Sequence, residues 1–124
     1  LTKAVSLTAR DVRNLQLAKA AVVGGIRVLL EQRGVTADDI ASVELAGGFG
    51  NYLSPENVVR IGMLPRACLS KIRPLGNTAL AGASMLALDG ENWRKLAEIP
   101  EKCRYLELSG RDDFSRAFTD SLTF

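Results

Sequence analysis

The segment over residues 8–33 constrains the fold most. Thr8 followed three positions later by Asp11 is a capping-box start, and Gly34 stands where a helix turns left-handed to end, so the pattern predicts one long helix over 8–33. Val12, Leu15, Val22, Val23, Ile26, Leu29 and Leu30 recur at steps of three and four, which lines them along one face. That face is expected to pack on something flat and apolar. Gly24 and Gly25 interrupt the helix at roughly 1 kcal/mol each against Ala, which points to close approach of another backbone. Gln16 and Lys19 fall within the same apolar face. A buried lysine is costly, so Lys19 either carries its ammonium to an edge or points into a cleft.

Beyond Gly34 the chain alternates. Thr36 with Asp39 predicts a short helical turn, and residues 42–46 read as a strand running straight into Gly47, Gly48, Phe49, Gly50 and Asn51. Ser54 before Pro55 predicts a short helix from 55 to about 61, closed by Gly62. A second strand is expected over 71–75, interrupted by Pro74; Gly76 and Asn77 then turn into a helix over 78–88 rich in Ala, Gly and Ser, which suits tight packing. A helix carrying Trp93, Leu96 and Ile99 follows, then a third strand over 103–108, then a last helix from Ser109 and Asp112 through Phe114 and Phe118. This order argues an α/β fold, a parallel or mixed sheet with helices on its faces. Three short strands make a small sheet, so its completion is expected from another chain or from strands of a longer parent.

Composition removes several functions. The chain has 124 residues, 47% of them apolar and 24% charged, which suits a single globular domain. A net charge of +2 without a run of like charges gives no footprint for nucleic acid or anionic lipid. Histidine is absent, which removes the commonest general base and most zinc sites. Cys68 and Cys103 stand far apart without a CxxC, so no metal site, iron–sulfur cluster or disulfide framework is signalled. No stretch reaches the ~18 apolar residues of a membrane span, so a cytoplasmic location is the expectation. The first residue is Leu1 rather than Met, which suggests a piece of something larger.

Chemistry is expected at the two glycine turns. Ligands of open α/β sheets bind at the carboxyl ends of strands, where glycines let backbone N–H groups approach and helix starts favour anions. The motifs at 47–51 and 76–77 are neither GxGxxG nor GxxxxGK[ST], so spacing alone leaves phosphate contact and simple tight turns both open. Asn51 and Asn77 are candidates for bonding ligand oxygens, and Asn beside Gly is equally a favoured turn residue. Glu44 alternates between Val43 and Leu45, which reads as a solvent-facing strand position.

The strand ending in Leu45-Ala46-Gly47-Gly48-Phe49-Gly50-Asn51, with Gly76-Asn77-Thr78-Ala79-Leu80-Ala81-Gly82-Ala83 some 25 residues later, resembles the adenosine motif and connecting helix of the actin, sugar kinase and heat-shock chaperone superfamily. More closely, Leu7 to Ala21, Gly47 to Leu53, Arg60-Ile61-Gly62-Met63-Leu64-Pro65 and Gly76-Asn77 resemble the C-terminal region of the ATP-dependent reductive activators of corrinoid proteins. The resemblance implies a ribonuclease H-like, actin-like ATPase subdomain, with residues 1–88 as nucleotide-lobe core and 89–124 as a C-terminal extension. It also implies ATP with Mg, a [2Fe–2S] cluster confined to an N-terminal domain of the parent, and one-electron reduction of a cobalt(II) corrinoid protein partner. The nucleotide-binding residues it implies are Gly47, Gly48, Phe49, Gly50, Asn51, Gln16, Lys19, Gly76 and Asn77, with Gly47 and Gly48 against adenosine and phosphates and Phe49 flanking base or ribose. No catalytic or metal-binding residue is carried over, since the first phosphate loop and catalytic carboxylates of that family would lie upstream, and the fragment alone is expected to be inactive. Two other readings are a different kinase-like member of the superfamily and a dimerisation or partner-docking module that forms a homodimer through the unfinished sheet.

Overall fold

A computed structural model describes residues 5–50 and 52–124, and of Phe49 the backbone alone. Helix α1 spans Ala9–Arg33. Its start follows from local chemistry: the Asp11 amide donates to the Thr8 hydroxyl oxygen at 3.2 Å, and the Asp11 carboxylate accepts the Thr8 amide at 2.9 Å. Gly34, with φ of 64°, ends it by donating to the Glu31 and Leu30 carbonyls. After a 3-10 turn at Ala37–Asp39 come strand β1 (Val43–Ala46), one helical turn α2 (Gly47–Gly50) and helix α3 (Pro55–Arg60). A 3-10 segment at Arg66–Lys71 leads to strand β2 (Ile72–Gly76), and helices α4 (Thr78–Leu88), α5 (Glu91–Lys102) and α6 (Asp112–Asp120) complete the order.

Strands β1 and β2 pair in parallel, Val43 with Ile72, Glu44 with Arg73, Leu45 with Pro74 and Ala46 with Gly76, with an irregularity between Leu45 and Ala46. These are the two strands of the sheet among the described residues. The third strand expected over 103–108 is corrected. That segment is extended in alternation, with Leu106 and Leu108 half-buried and Tyr105 exposed, but it joins no ladder. Leu108 lies instead against α1 at Gly25. Its alternation serves packing on a helix, which periodicity alone cannot distinguish from pairing in a sheet.

Below the sheet, Val58, Met63 and Leu64 form a buried cluster that gathers Ile26 from α1, Val43 and Leu45 from β1, Ile72 from β2, and Leu53, Val59 and Ile61. The short helix α3 is held for this purpose. Ser54 accepts the Asn57 amide and Pro55 occupies the first turn, where its missing N–H leaves nothing unpaired. Gly62, at φ 73°, turns the chain so that Met63 and Leu64 point inward.

The predicted face of α1 is corrected in part: Val12, Val23, Ile26 and Leu30 are half-buried as expected. Leu15, Val22 and Leu29 are exposed, and the buried positions are Lys19, Ala20, Gly24 and Val28. The helix serves two neighbours. Ile26 faces the core cluster, while α6 packs on α1 at Gly24, which with the buried Ala20 and Val28 recurs every fourth residue. Contact with a second helix favours small residues, and the large aliphatics fall to the sides. The expected close approach is present: a Cβ at Gly24 would meet Phe114 Cε2 at 3.0 Å and the Phe118 backbone nitrogen at 3.3 Å.

Helices α4 and α5 fold against each other, with Asn92 and Trp93 donating side-chain N–H bonds to the Met85 and Leu86 carbonyls at 2.8 and 3.2 Å. Neither helix buries a residue, and Leu80, Met85, Leu88, Trp93 and Ile99 all stand open. Of the small residues of α4, Gly82 is half-buried where it faces α5, and Ala79, Ala81, Ala83 and Ser84 are exposed.

The two neighbouring glycines of α1 should respond with opposite signs. Gly24→Ala forces Phe114 and the α6 backbone away and is expected to destabilise by about 1–3 kcal/mol. Gly25→Ala, whose new Cβ meets nothing closer than Leu108 at 3.5 Å, should gain up to about 1 kcal/mol from helix propensity. Urea unfolding of the two variants checks this, and equal losses would refute the close-approach account.

Candidate functional site

The parallel ladder places both glycine turns at one edge of the sheet. Ala46 and Gly76 are the last paired positions, so the chain leaves β1 and β2 side by side. Each departure needs a left-handed residue, supplied by Gly47 at φ 88° and Gly76 at φ 68°. The glycine turn expected after β1 is a single helical turn, α2, over Gly47–Gly50. Its reason is Gly50, which is buried and so close to β1 that a Cβ would sit 3.3 Å from the Leu45 carbonyl carbon. A Cβ at Gly47 or Gly48 would meet nothing within 4 Å. One end of the turn is packed down while the other presents bare backbone to open space.

Asn77 follows Gly76 as the N-cap of α4, its Oδ1 accepting the Leu80 amide at 3.0 Å. The turn-residue role is therefore occupied, and the side-chain NH2 is left for other partners. Asn51 lies outside the described residues, as does the side chain of Phe49. Glu44 is exposed opposite Arg73 on the neighbouring strand, as its alternation predicted. The structure thus brings Gly47, Gly48, Gly50, Gly76 and Asn77 together, and none of them titrates. Such an edge can bind through backbone and amide groups but has no proton to give or take.

Gln16 and Lys19 sit elsewhere, on α1. Gln16 is half-buried, and Lys19 is 3% exposed. The Lys19 ammonium donates to the Thr123 carbonyl oxygen and stands 5.2 Å from the centroid of the Phe124 ring. Of the two alternatives for this lysine, the structure shows an ammonium covered by the C-terminal residues. Nothing in the sequence signals that contact, because it joins positions at opposite ends of the chain through the packing of α6.

Helix α6 is tied at its start by an ion pair. The Arg111 guanidinium donates to both Asp113 carboxylate oxygens at 2.9 and 2.6 Å, and the Phe114 amide donates to the same carboxylate at 2.8 Å. The Arg111 hydrogen bonds, with the Phe114 amide and the guanidinium charge adding to them, hold the Asp113 carboxyl at about 2, below its ordinary 3.8. The Thr8 hydroxyl and amide lower Asp11 at the start of α1, and the Thr36 amide and hydroxyl lower Asp39. These shifts belong to helix caps, away from the glycine edge. Among the described residues no three His, Cys, Asp or Glu side chains gather as a metal ion would require. Nor is any helix long and apolar enough to cross a membrane.

Comparisons with known proteins agree with one another. The family model described as the C-terminal domain of RACo, the ASKHA domain, matches residues 1–124. Corrinoid activation enzyme RamQ of Eubacterium limosum is 34% identical over 122 residues, covering 98% of this chain and 21% of that protein. The solved structure of a reductive activator for corrinoid, iron–sulfur protein superposes with a TM-score of 0.86 at 35% identity, over 94% of this chain and 18% of that one. The chain spans about a fifth of the length of these relatives.

Two outcomes test the local account. Asn77→Ala should lower stability by about 1 kcal/mol through loss of the α4 cap, with Asn77→Ser retaining most of it. The Arg111–Asp113 contribution is complete above the ordinary carboxylate value and fades as pH falls from about 4 toward about 2, because the folded-state carboxyl titrates lower than the unfolded one. Asp113→Asn should flatten the acid loss of stability in that window; an unchanged profile of denaturation midpoint against pH would refute it.

Proposed function

Because this chain belongs to the family of the C-terminal ASKHA domain of RACo, an actin-like fold, we propose that it is the nucleotide-binding C-terminal lobe of a longer ATP-dependent activator that reduces a corrinoid protein. The observation that carries this reading is the glycine edge: two turns side by side at the carboxyl ends of parallel strands, with open space before Gly47 and Gly48. In that role the bare backbone of Gly47 and Gly48 receives adenosine and phosphates, Phe49, Gly50 and Asn51 continue the contact, and Gly76 with the free amide of Asn77 closes the second side. Gln16 and Lys19 reach the nucleotide from α1.

Residues 1–88 then form the lobe core and 89–124 an extension folded back over α1. The lobe binds and orients; it supplies no group able to activate water, so hydrolysis draws on residues of the rest of the protein. Mg ligands are likewise drawn from elsewhere, since no acidic cluster stands at the glycine edge. Cys68 is buried and Cys103 exposed on a different element, which does not fit a [2Fe–2S] cluster, so electrons enter from another domain. A corrinoid protein in the cytoplasm is the proposed electron acceptor. The open apolar surface of α4 and α5 favours a second reading, a docking or homodimer module in which the glycines are turns only.

Calorimetric titration of ATP and ADP with Mg²⁺ into the full-length protein separates the two. Gly48→Arg adds a side chain where the fold has room, so the melting temperature should hold while nucleotide binding is abolished. Unchanged affinity in this variant would remove the site from the glycine edge, and no binding by the unaltered protein would favour the docking module.

A further inference from the structure

A cavity of about 340 Å³ opens between α1 and the corner that follows α3, and none of the residues lining it belongs to the glycine edge. Buried Met63 and Leu64 form its floor, half-buried Val23, Leu30 and Pro65 its walls, and exposed Arg27 and Arg66 its mouth. The corner exists because Gly62, at φ 73°, turns the chain directly after α3, and a Cβ there would meet nothing within 4 Å. The motif over residues 60–65 thus shapes a second concavity as well as the core.

Two arginines give this cavity its chemistry. The ion pairs among the described residues are Glu91–Arg94, Glu98–Lys102 and Arg111–Asp113, none of which involves Arg27 or Arg66. Arg27 also borders the cleft between α1 and α6, beside Glu31 and Asp120, so part of its charge is offset there. No acidic residue lines the cavity itself. A guanidinium offers its N–H donors as a planar fork that suits carboxylate or phosphate oxygens. Apolar walls with a few charged groups at one end are the anatomy of a small-molecule site, and the volume falls within the roughly 300–1,000 Å³ of such sites. The hollow between α4 and α5 differs on both counts. Lys95 is its one charged lining group, and none of its lining residues is buried.

We propose that the cavity binds an apolar body carrying one anionic head, a carboxylate or a phosphate, with the body over Met63 and Leu64 and the head at Arg27 and Arg66. This site is separate from the glycine edge, so the inference goes beyond the nucleotide reading and does not depend on it. Met63 and Leu64 belong to the cluster that also holds Val43, Leu45 and Ile72, so an occupant bears on the packing beneath both strands. A ligand that binds only the folded chain stabilises it.

Methionine-methyl NMR on the full-length protein tests this, because the two methionines of this chain report on different places, Met63 on the cavity and Met85 on the α4–α5 hollow. Met63→Leu and Met85→Leu identify the two signals. Octanoate and octyl phosphate are the probes, and octanol is the control without a charged head. At least one of the two anions should shift the Met63 signal to saturation and leave that of Met85 in place; the tighter of them identifies the head group. Octanol should bind roughly fivefold or more weakly, and Arg66→Gln and Arg27→Gln should each weaken the anion roughly two- to fivefold, as befits exposed charges. Both side chains are exposed, so the melting temperature of these variants should hold. An unmoved Met63 signal, octanol bound as tightly as the anions, or an affinity indifferent to both arginines overturns the proposal. Met85 moving in parallel with Met63 means general adsorption on apolar surface and overturns it as well.

Discussion

The seat of α6 on α1 governs much of the arrangement. At Gly24 the two helices approach so closely that a Cβ would sit 3.0 Å from Phe114 Cε2, and Phe118 follows one turn later with its ring 6.2 Å from that of Phe114. That contact decides which side of α1 is buried. It also fixes where α6 ends, and so where residues 121–124 meet Lys19. The opposite side of α1 is left to Ile26 and the cluster around Val58, Met63 and Leu64, which in turn supports β1 and β2. A single glycine thus links the position of the C-terminal residues to the sheet edge, through two faces of one helix.

What could be read from the sequence was what local chemistry decides. Thr8 with Asp11, Ser54 with Pro55, and Asn77 before α4 each satisfy amides that a helix start leaves open, and each boundary fell within a residue or so of its prediction. The two glycine turns were legible because a strand that stops on Gly has few other uses for it. The buried side of α1 was not legible, since Ala20 and Gly24 matter by being small, and hydrophobic spacing counts only large side chains. The extended run 103–108 alternated correctly and still formed no strand, because its partner is a helix at Gly25. The 3-10 segment Arg66–Lys71 carries no capping signal, and it buries Cys68 through tertiary packing alone. The contact of Lys19 with Thr123 joins residues 104 positions apart, beyond the range of any local rule.

The distribution of burial has its own logic. Nearly half the residues are apolar, yet the buried cluster is small and Leu15, Val22, Leu80, Met85 and Trp93 all lie open. A chain that matches relatives over about a fifth of their length has most of its family's structure outside it. Among the described residues the sheet has two strands, where an α/β domain ordinarily has more.

Within the first glycine turn, structural and ligand-facing demands separate by residue. Gly50 is favoured by the fold, since a Cβ there would sit 3.3 Å from the carbonyl carbon of Leu45, tighter than ordinary packing contact. Gly47 is required by the backbone, since its φ of 88° is strained for any other residue although space is free around it. Gly48 is required by neither, having an ordinary φ and empty space where a side chain would go. A glycine that the folded chain does not need costs conformational entropy without return in stability. Neither demand accounts for Gly48, and of the three it is the position at which a side chain could be added with least disturbance to the fold.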